Sequence, residues 1–180
     1  FNGATGALVG TFASNASLSG ATGLAFGPDG TGDGIPEIYV ASFNSNTVIQ
    51  FNGATGAYIG VFASNPSLTN PTGIAFGPDG HLYVANDGTS NIFKFHGQTG
   101  ASLGIFTSGT ELTKTTGVRV SARAGLLVSS QSGSVFEYNG ETGALAGTAA
   151  VDAGKMRLHS TFMRNAFVRR RFRASFRSLG

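Results

Sequence analysis

The chain has 180 residues, including 28 Gly, 12 Lys or Arg and 9 Asp or Glu, and it contains no Cys and no Trp. Its 41% share of hydrophobic residues excludes a fully disordered chain, and its length fits one domain. The lack of Cys excludes disulfides, zinc–thiolate sites and a cysteine nucleophile. No apolar run reaches the roughly 18 residues that a membrane-spanning helix needs.

The charge is divided unevenly along the chain. Residues 1–154 hold four basic side chains and all nine acidic ones, whereas residues 155–180 hold eight basic side chains and no acidic one. The sequence therefore predicts an acidic body in residues 1–150 and a separate basic tail in residues 151–180.

An internal repeat organises the body. Residues 1–30 and 51–80 are identical at 22 of 30 positions. A third, more divergent copy begins at Phe95 and a fourth begins at Tyr138, so the copies are spaced by 50, 44 and 43 residues. A six-residue insert after Gly30 accounts for the longer first spacing. A period near 44 residues is typical of a four-stranded propeller blade.

The segments within one period predict strands. Residues 72–76, 82–85, 91–95 and 101–106 are short, rich in β-branched and aromatic side chains, and bounded by turn residues. The Gly-Pro-Asp-Gly sequence at 77–80 is a turn in which Pro fixes φ and the last Gly accepts a positive φ. Four strands in about 44 residues leave no room for a crossover helix, so we expect an all-β fold of four-stranded antiparallel meanders.

The sequence PTGIAFGPDGHLYVAN at 71–86, followed by NIFKF at 91–95, resembles an NHL-type repeat. Such repeats are shared by NHL propellers, streptogramin-lyase-like proteins and the gluconolactonase/SMP-30 superfamily, so the resemblance implies a β-propeller. It covers about residues 1–150.

The repeat count predicts an incomplete propeller. The chain supplies one strand near 7–13 and blades near 21–63, 71–107 and 115–149. Closed propellers have roughly 4–8 blades, so closing a ring needs more than these three. We expect either a fragment of a larger propeller, as the missing signal peptide and initial Met also suggest, or a ring completed by a second copy of the chain.

The insert carries oxygen side chains in a spacing typical of calcium loops. Asp29, Thr31, Asp33 and Glu37 stand at positions 1, 3, 5 and 9, with Gly34 at position 6. Calcium prefers such hard oxygen ligands around a sharp, Gly-dependent turn. The segment resembles the half-loops of thrombospondin type 3 and dockerin repeats, although Thr31 and Glu37 replace Asp. Calcium is therefore the one cofactor that the sequence suggests, and a plain hairpin loop is the alternative.

Two equivalent loops predict a binding surface. Residues 42–46 and 86–90 occupy the same loop of successive repeats and are rich in amide and hydroxyl side chains. Loops vary freely on a rigid scaffold and often carry recognition. We expect either a surface that binds protein or glycan, or solvated loops. The candidate residues are Phe43, Asn44, Asn46, Asn86 and Asp87.

Catalytic motifs are weak in this sequence. The three His fall at unrelated positions of the repeat, and the Glu residues after residue 100 stand alone, so neither a His–Glu pair nor a carboxylate pair is predicted. The composition, low in Lys and rich in Asn, Ser, Thr and Gly, favours an extracellular or envelope-associated bacterial protein. We predict a non-catalytic binding or structural module; the alternative is a fragment of a propeller hydrolase or lyase whose catalytic residues lie outside this chain.

The basic tail breaks the repeat. On a helix, its apolar residues from Val168 to Leu179 form one stripe, flanked by Arg169, Arg170, Arg171, Arg173 and Arg177. A basic amphipathic helix of this kind binds anionic membranes or nucleic acid. Two alternatives stay open: a disordered appendage, or a shifted reading frame that ended the repeat register.

Overall fold

The computed structural model describes residues 1–121 and 125–149, in which all regular secondary structure is β-strand. Three four-stranded antiparallel sheets, here called blades 1, 2 and 3, follow one another along the chain. The strands are β1 (Ala21–Phe26), β2 (Ile38–Ser42), β3 (Thr47–Phe51) and β4 (Tyr58–Ser64) in blade 1; β5 (Pro71–Phe76), β6 (Leu82–Asn86), β7 (Asn91–Phe95) and β8 (Ser102–Ser108) in blade 2; and β9 (Thr115–Val120), β10 (Leu126–Ser130), β11 (Ser134–Tyr138) and β12 (Leu145–Ala149) in blade 3. The predicted meanders and blade positions are confirmed.

A five-residue turn joins the third and fourth strands of each blade. In blade 1 the Asn52 Oδ1 atom accepts hydrogen bonds from the backbone amides of Ala54 (3.0 Å) and Thr55 (2.8 Å), and Gly56 has a φ of 72°. Only Gly adopts this left-handed conformation without strain. The turns at 96–100 and 139–143 end on Gly with the same geometry, which explains why the sequence repeats there.

Neighbouring blades bury their facing surfaces against each other, so blade 2 is covered on both faces. We call the face toward the following blade the trailing face, and the face toward the preceding blade the leading face. The trailing face of blade 1 contributes Tyr39, Ala41 and Val48 to a buried cluster, and the leading face of blade 2 contributes Ile74, Leu82, Val84, Phe93 and Phe95. The next cluster joins Ala75, Tyr83, Ala85 and Ile92 of blade 2 to Val118, Leu126, Val128, Phe136 and Tyr138 of blade 3. The apolar core of this fold therefore lies between blades.

The innermost strands β1, β5 and β9 approach one another through a repeated Thr-Gly pair. Thr22 Oγ1 donates to the carbonyl O of Pro71 (2.9 Å), and Thr72 Oγ1 donates to the carbonyl O of Thr115 (2.7 Å). A Cβ atom on Gly73 would lie 2.5 Å from the Cα of the equivalent glycine in blade 3. The Thr-Gly pair thus sets the distance between blades.

Residues 7–13 differ from the sequence prediction, since the structure assigns no strand there. The reason is that the strand they would hydrogen-bond to is absent from the described residues. Their place in the fold is nevertheless that of a fourth strand, because the carbonyl of Phe12 abuts Gly56 as the carbonyl of Phe62 abuts Gly100. Within residues 1–121 and 125–149 no helix is long and apolar enough to cross a membrane.

Candidate binding site

One edge of the blades collects the loops between second and third strands and the loops that connect consecutive blades. We call this edge the loop face; it comprises residues 15–20, 43–46, 65–70, 87–90, 109–114 and 131–133. Backbone hydrogen bonds join the two kinds of loop, from Phe43 N to Gly20 O (2.9 Å) and from Gly88 N to Thr69 O (3.0 Å). Both predicted binding loops therefore lie on one surface.

Side-chain hydrogen bonds tie the loops of successive blades together. Asn46 Oδ1 accepts from the backbone amide of Asn70 (2.8 Å), and Ser90 Oγ accepts from that of Lys114 (2.9 Å). All four residues have positive φ values, between 47° and 59°, a conformation that non-Gly residues rarely adopt. The ties connect the loops of neighbouring blades and satisfy backbone amides within this uncommon conformation.

The predicted binding residues differ in their accessibility. Asn44 is exposed, and Phe43 and Asp87 are half-buried. Asn86 is fully buried: its Oδ1 accepts from the Thr69 backbone amide (2.7 Å) and its Nδ2 donates to Asn91 Oδ1 (3.1 Å). The surface available to a ligand is therefore centred on Phe43 and Asn44.

Asp87 has an unusual oxygen. Its Oδ1 is buried and has no hydrogen-bond partner within the described part of the chain. A buried acceptor without a donor is costly, so this atom is a place where a ligand or water donor would be stabilising.

The insert lies on the opposite edge, which we call the turn face. Asp29 organises it: Oδ1 accepts from the amide of Gly32 (2.6 Å) and Oδ2 from that of Gly34 (2.8 Å). The hydrogen bond from Gly34 is the main cause that lowers the pKa of Asp29 below its ordinary value. Thr31 Oγ1 reaches Asp29 at 3.5 Å.

Glu37 is fully buried beneath this loop. Its Oε1 accepts from Thr31 Oγ1 (2.7 Å), and its Oε2 accepts from the backbone amide of Gly53 (2.8 Å). Asp33 Oδ2 instead accepts from Asn52 Nδ2 (2.8 Å). The four oxygen-bearing residues thus share one loop, but Asp33 faces the neighbouring turn.

Among residues 1–121 and 125–149, no three His, Cys, Asp or Glu side chains form a group that would hold a metal ion. This does not test a site built partly from Thr and backbone oxygens, so calcium binding stays a prediction.

Two histidines meet on the turn face. The rings of His81 and His96 have centroids 5.3 Å apart, although the sequence analysis treated their positions as unrelated. His81 stands where Glu37 stands in blade 1, and its Nδ1 accepts from the Gly97 amide (3.4 Å). The pairing of Leu82 with Phe95 in the β6–β7 hairpin places residues 81 and 96 opposite each other. The strand register implied by the repeat could therefore have predicted that the two histidines meet.

A charged cluster in blade 2 was not predicted from the sequence. Asp79 Oδ2 lies 2.8 Å from Lys94 Nζ and accepts a hydrogen bond from Tyr83 OH (2.8 Å). Burial would raise the pKa of Asp79, but the hydrogen bonds from Lys94 and Tyr83 outweigh it and lower that pKa. In blade 1, Gln50 replaces the lysine and donates to Tyr39 OH (3.1 Å). Burial, with a smaller contribution from the charge of Glu37, raises the pKa of Tyr39 to about 12.

A cleft of about 690 Å³ opens beside the innermost strands. Its lining combines the innermost strands with the trailing face of blade 3, and Arg119 is the charged residue in it. The predicted arginines of the basic tail, like the rest of residues 150–180, lie outside the described residues.

Residues 68–95, which form most of the inner part of blade 2, match the NHL repeat. Several solved structures share the architecture. A streptogramin B lyase is 17% identical, with a TM-score of 0.59, over 76% of this chain and 42% of the lyase chain. A catalytically inactive virginiamycin B lyase from Staphylococcus aureus with quinupristin is 16% identical, with a TM-score of 0.59, over 74% and 42%.

The WD40 β-propeller domain of Doa1 is 14% identical, with a TM-score of 0.58, over 74% of this chain and 41% of the other. No curated protein sequence matches the chain. Identities this low show the fold alone, and the chain spans less than half the length of each of these structures. The predicted partial propeller with an NHL-type repeat is confirmed.

Proposed function

Starting from three β-propeller blades, the second of which carries an NHL repeat, we propose that this chain is a binding module whose loop face recognises a protein or a glycan. We place it in an extracellular or envelope-associated bacterial protein, on compositional grounds. The observation that carries the proposal is the loop face itself, where exposed polar groups stand on backbone fixed between blades.

The chemistry of the loop face suits sugars and polar peptides. Asn44 is exposed, Phe43 offers a partly accessible ring, and the half-buried Asp87 has one buried oxygen that lacks a donor within the described residues. An aromatic face beside amide and carboxylate groups combines apolar contact with directional hydrogen bonding. A rigid surface also binds with a smaller loss of conformational entropy than a mobile one.

Nuclear magnetic resonance with the ¹⁵N-labelled chain tests this proposal. Titration with chitotetraose, maltotetraose and a muramyl pentapeptide should shift the amide resonances of residues 43–46 and 87–90. Phe43→Ala should then weaken the affinity about tenfold, since truncating an aromatic contact costs on the order of 1–2 kcal/mol. Gln98→Ala, an exposed residue on the turn face, is the matched control and should leave the affinity unchanged.

The alternative function is supported by the similarity to the two lyases, one of them determined with quinupristin. In that case the chain is part of a propeller enzyme whose catalytic residues lie elsewhere. Quinupristin is therefore added to the same titration. Shifts confined to the cleft beside the innermost strands, with none on the loop face, would favour the enzyme fragment and contradict the binding module.

A further inference from the structure

The first residues of the chain form an edge that pairs with no strand among the described residues. Residues 7–13 lie against blade 1 in the place of a fourth strand, yet no strand is assigned to them. Leu8, Val9 and Phe12 are 70%, 77% and 52% exposed. An exposed apolar edge of this kind is a template for strand pairing with another chain.

The sequence of this edge is almost that of the last strand of blade 3. Residues 5–12 read TGALVGTF and residues 142–149 read TGALAGTA, so they differ only at Val9 against Ala146 and Phe12 against Ala149. The preceding turns also agree, because Asn2 Oδ1 accepts from the amides of residues 4 and 5 as Asn139 Oδ1 accepts from those of residues 141 and 142. Residues 5–12 therefore fit the position of β12 on β11.

The inner part of the leading face of blade 1 is exposed beside this edge, whereas Ile49 and Phe51 on the outer part of the same face are fully buried. Leu24 and Phe26 are 58% and 63% exposed. The equivalent residue to Leu24 in blade 2, Ile74, is 2% exposed because it packs on the trailing face of blade 1. Since blades 1 and 2 have nearly the same sequence over this stretch, the leading face of blade 1 is suited to a trailing face.

The trailing face of blade 3 is half-buried, and no further blade packs on it within the described residues. Leu127, Ser129 and Val135 occupy the positions that blade 2 fills with Tyr83, Ala85 and Ile92, and they line the open cleft. Thr116, the equivalent of Thr72, reaches Ser129 of its own blade (2.9 Å), and no atom of another blade lies near where a side chain on Gly117 would begin. The threonine and the glycine that would join blade 3 to a following blade are thus both present, and no such blade contacts them within the described residues.

We propose that two copies of this chain dock head to tail, with blade 1 of the second copy on the trailing face of blade 3. Residues 5–12 of the second copy then replace β12 as the outer strand of blade 3. The second copy is the occupant because it carries both the matching face and a strand of matching sequence. Phe12 in place of Ala149 restores the aromatic residue that Phe62 and Phe106 provide in blades 1 and 2, where each packs on a tyrosine.

The same contact at both open ends joins six blades into a ring, within the range of closed propellers. Light scattering coupled to size-exclusion chromatography should give twice the chain mass of 18.3 kDa. Leu24→Glu combined with Phe26→Glu should give the single-chain mass. Leu103→Glu, at a similarly exposed position of β8, is the matched control and should remain dimeric. Because Leu24 and Phe26 are exposed, their replacement leaves the folded chain intact, which circular dichroism verifies.

Cysteine cross-linking tests the strand exchange, since the chain has no Cys of its own. Val135 pairs with Ala149 in β12, so in the exchange it pairs with Phe12 of the second copy. A variant with Phe12→Cys and Val135→Cys should form a covalent dimer on oxidation. The variant with Val135→Cys and Ala149→Cys should not form one if β12 stays in place, and it reports on the unexchanged blade.

Three results overturn the proposal. A parent chain of single-chain mass shows that a second copy does not cover these faces. A dimer that survives both glutamate substitutions uses another surface. A dimer in which residues 12 and 135 do not cross-link retains β12 and excludes the exchange.

Discussion

At the scale of single residues, Asp79 and Lys94 form an ion pair in blade 2, whereas blade 1 has a hydrogen bond between neutral side chains in the equivalent place. Lys94 and Tyr83 both contact Oδ2 of Asp79, whereas the equivalent residues of blade 1 use a neutral amide and a tyrosine hydroxyl. Asp79 is 35% exposed, so solvent weakens the ion pair and its contribution is that of a surface pair.

Lys94→Gln copies the arrangement of blade 1 and should lower the free energy of unfolding by about 0.5–1 kcal/mol at pH 7. Lys94 helps to lower the pKa of Asp79 below 3.8, so the stabilisation is complete above that pH and is lost as the pH falls through the lowered pKa. Urea unfolding from pH 7 to pH 3 measures this. A difference between parent and variant that persists unchanged at pH 3 would contradict the ion-pair explanation.

At the scale of elements, the β1–β2 hairpin of blade 1 differs from its copies by the insert. Buried Glu37 fastens the insert to the next turn through Thr31 and Gly53. The repeat uses His81 for the same task in blade 2, which explains how two chemically different residues stand at one position. The insert thus extends a structure that the repeat already supports, and the oxygens of its exposed Asp29 and Asp33 accept hydrogen bonds from within the loop and from Asn52.

Calcium binding by this insert predicts a selective stabilisation. If the loop binds the ion, calcium at ten times its dissociation constant should stabilise the fold by about 1.4 kcal/mol, because ligand binding to the folded state adds to stability. Differential scanning fluorimetry with millimolar calcium should show this in the parent and in Glu141→Ala, an acidic control elsewhere on the turn face. Asp33→Ala should remove the response. Equal responses to calcium in all three proteins, or no response in the parent, would refute the site.

At the scale of the whole molecule, the blades are held by the junctions of their innermost strands. Hydroxyl donors of Thr22 and Thr72 cross from one blade to the next, and the following glycines allow backbone to approach backbone. These contacts are cooperative with the apolar clusters behind them, because moving one blade outward opens the clusters as well.

Gly73→Ala tests the junction. Its new Cβ would meet the backbone of Gly117 at 2.5 Å and that of Val118 at 2.7 Å, so blades 2 and 3 must separate, at a cost of about 1–3 kcal/mol. Gly60→Ala in β4 is the matched control, because nothing lies within 4 Å of its Cβ position, and it should be neutral. Thermal unfolding compares the two; equal melting temperatures would show that the close approach does not determine stability.

The residue pattern along the chain determines this fold. Period, strand pattern and turn chemistry are local properties, so they predicted the meanders, the blade positions and the Gly turns. The unpaired edge at residues 7–13 was predicted as a strand, because the sequence carries the strand pattern but not the partner that a strand requires.

The candidate site was decided by the tertiary structure. Asn44 and Asn86 are the same kind of residue in successive loops, yet one is exposed and the other is buried and fully hydrogen-bonded. Likewise, the sequence does not show that Asp79 and Lys94 form an ion pair, because Asp79 precedes β6 and Lys94 lies in β7, and only the folded sheet brings them together. Repeat and periodicity encode what each segment forms, whereas burial and pairing depend on which segments pack together. That physical difference is why the sequence alone determined the propeller blades, and only the packed blades distinguished a ligand-facing side chain from a structural one.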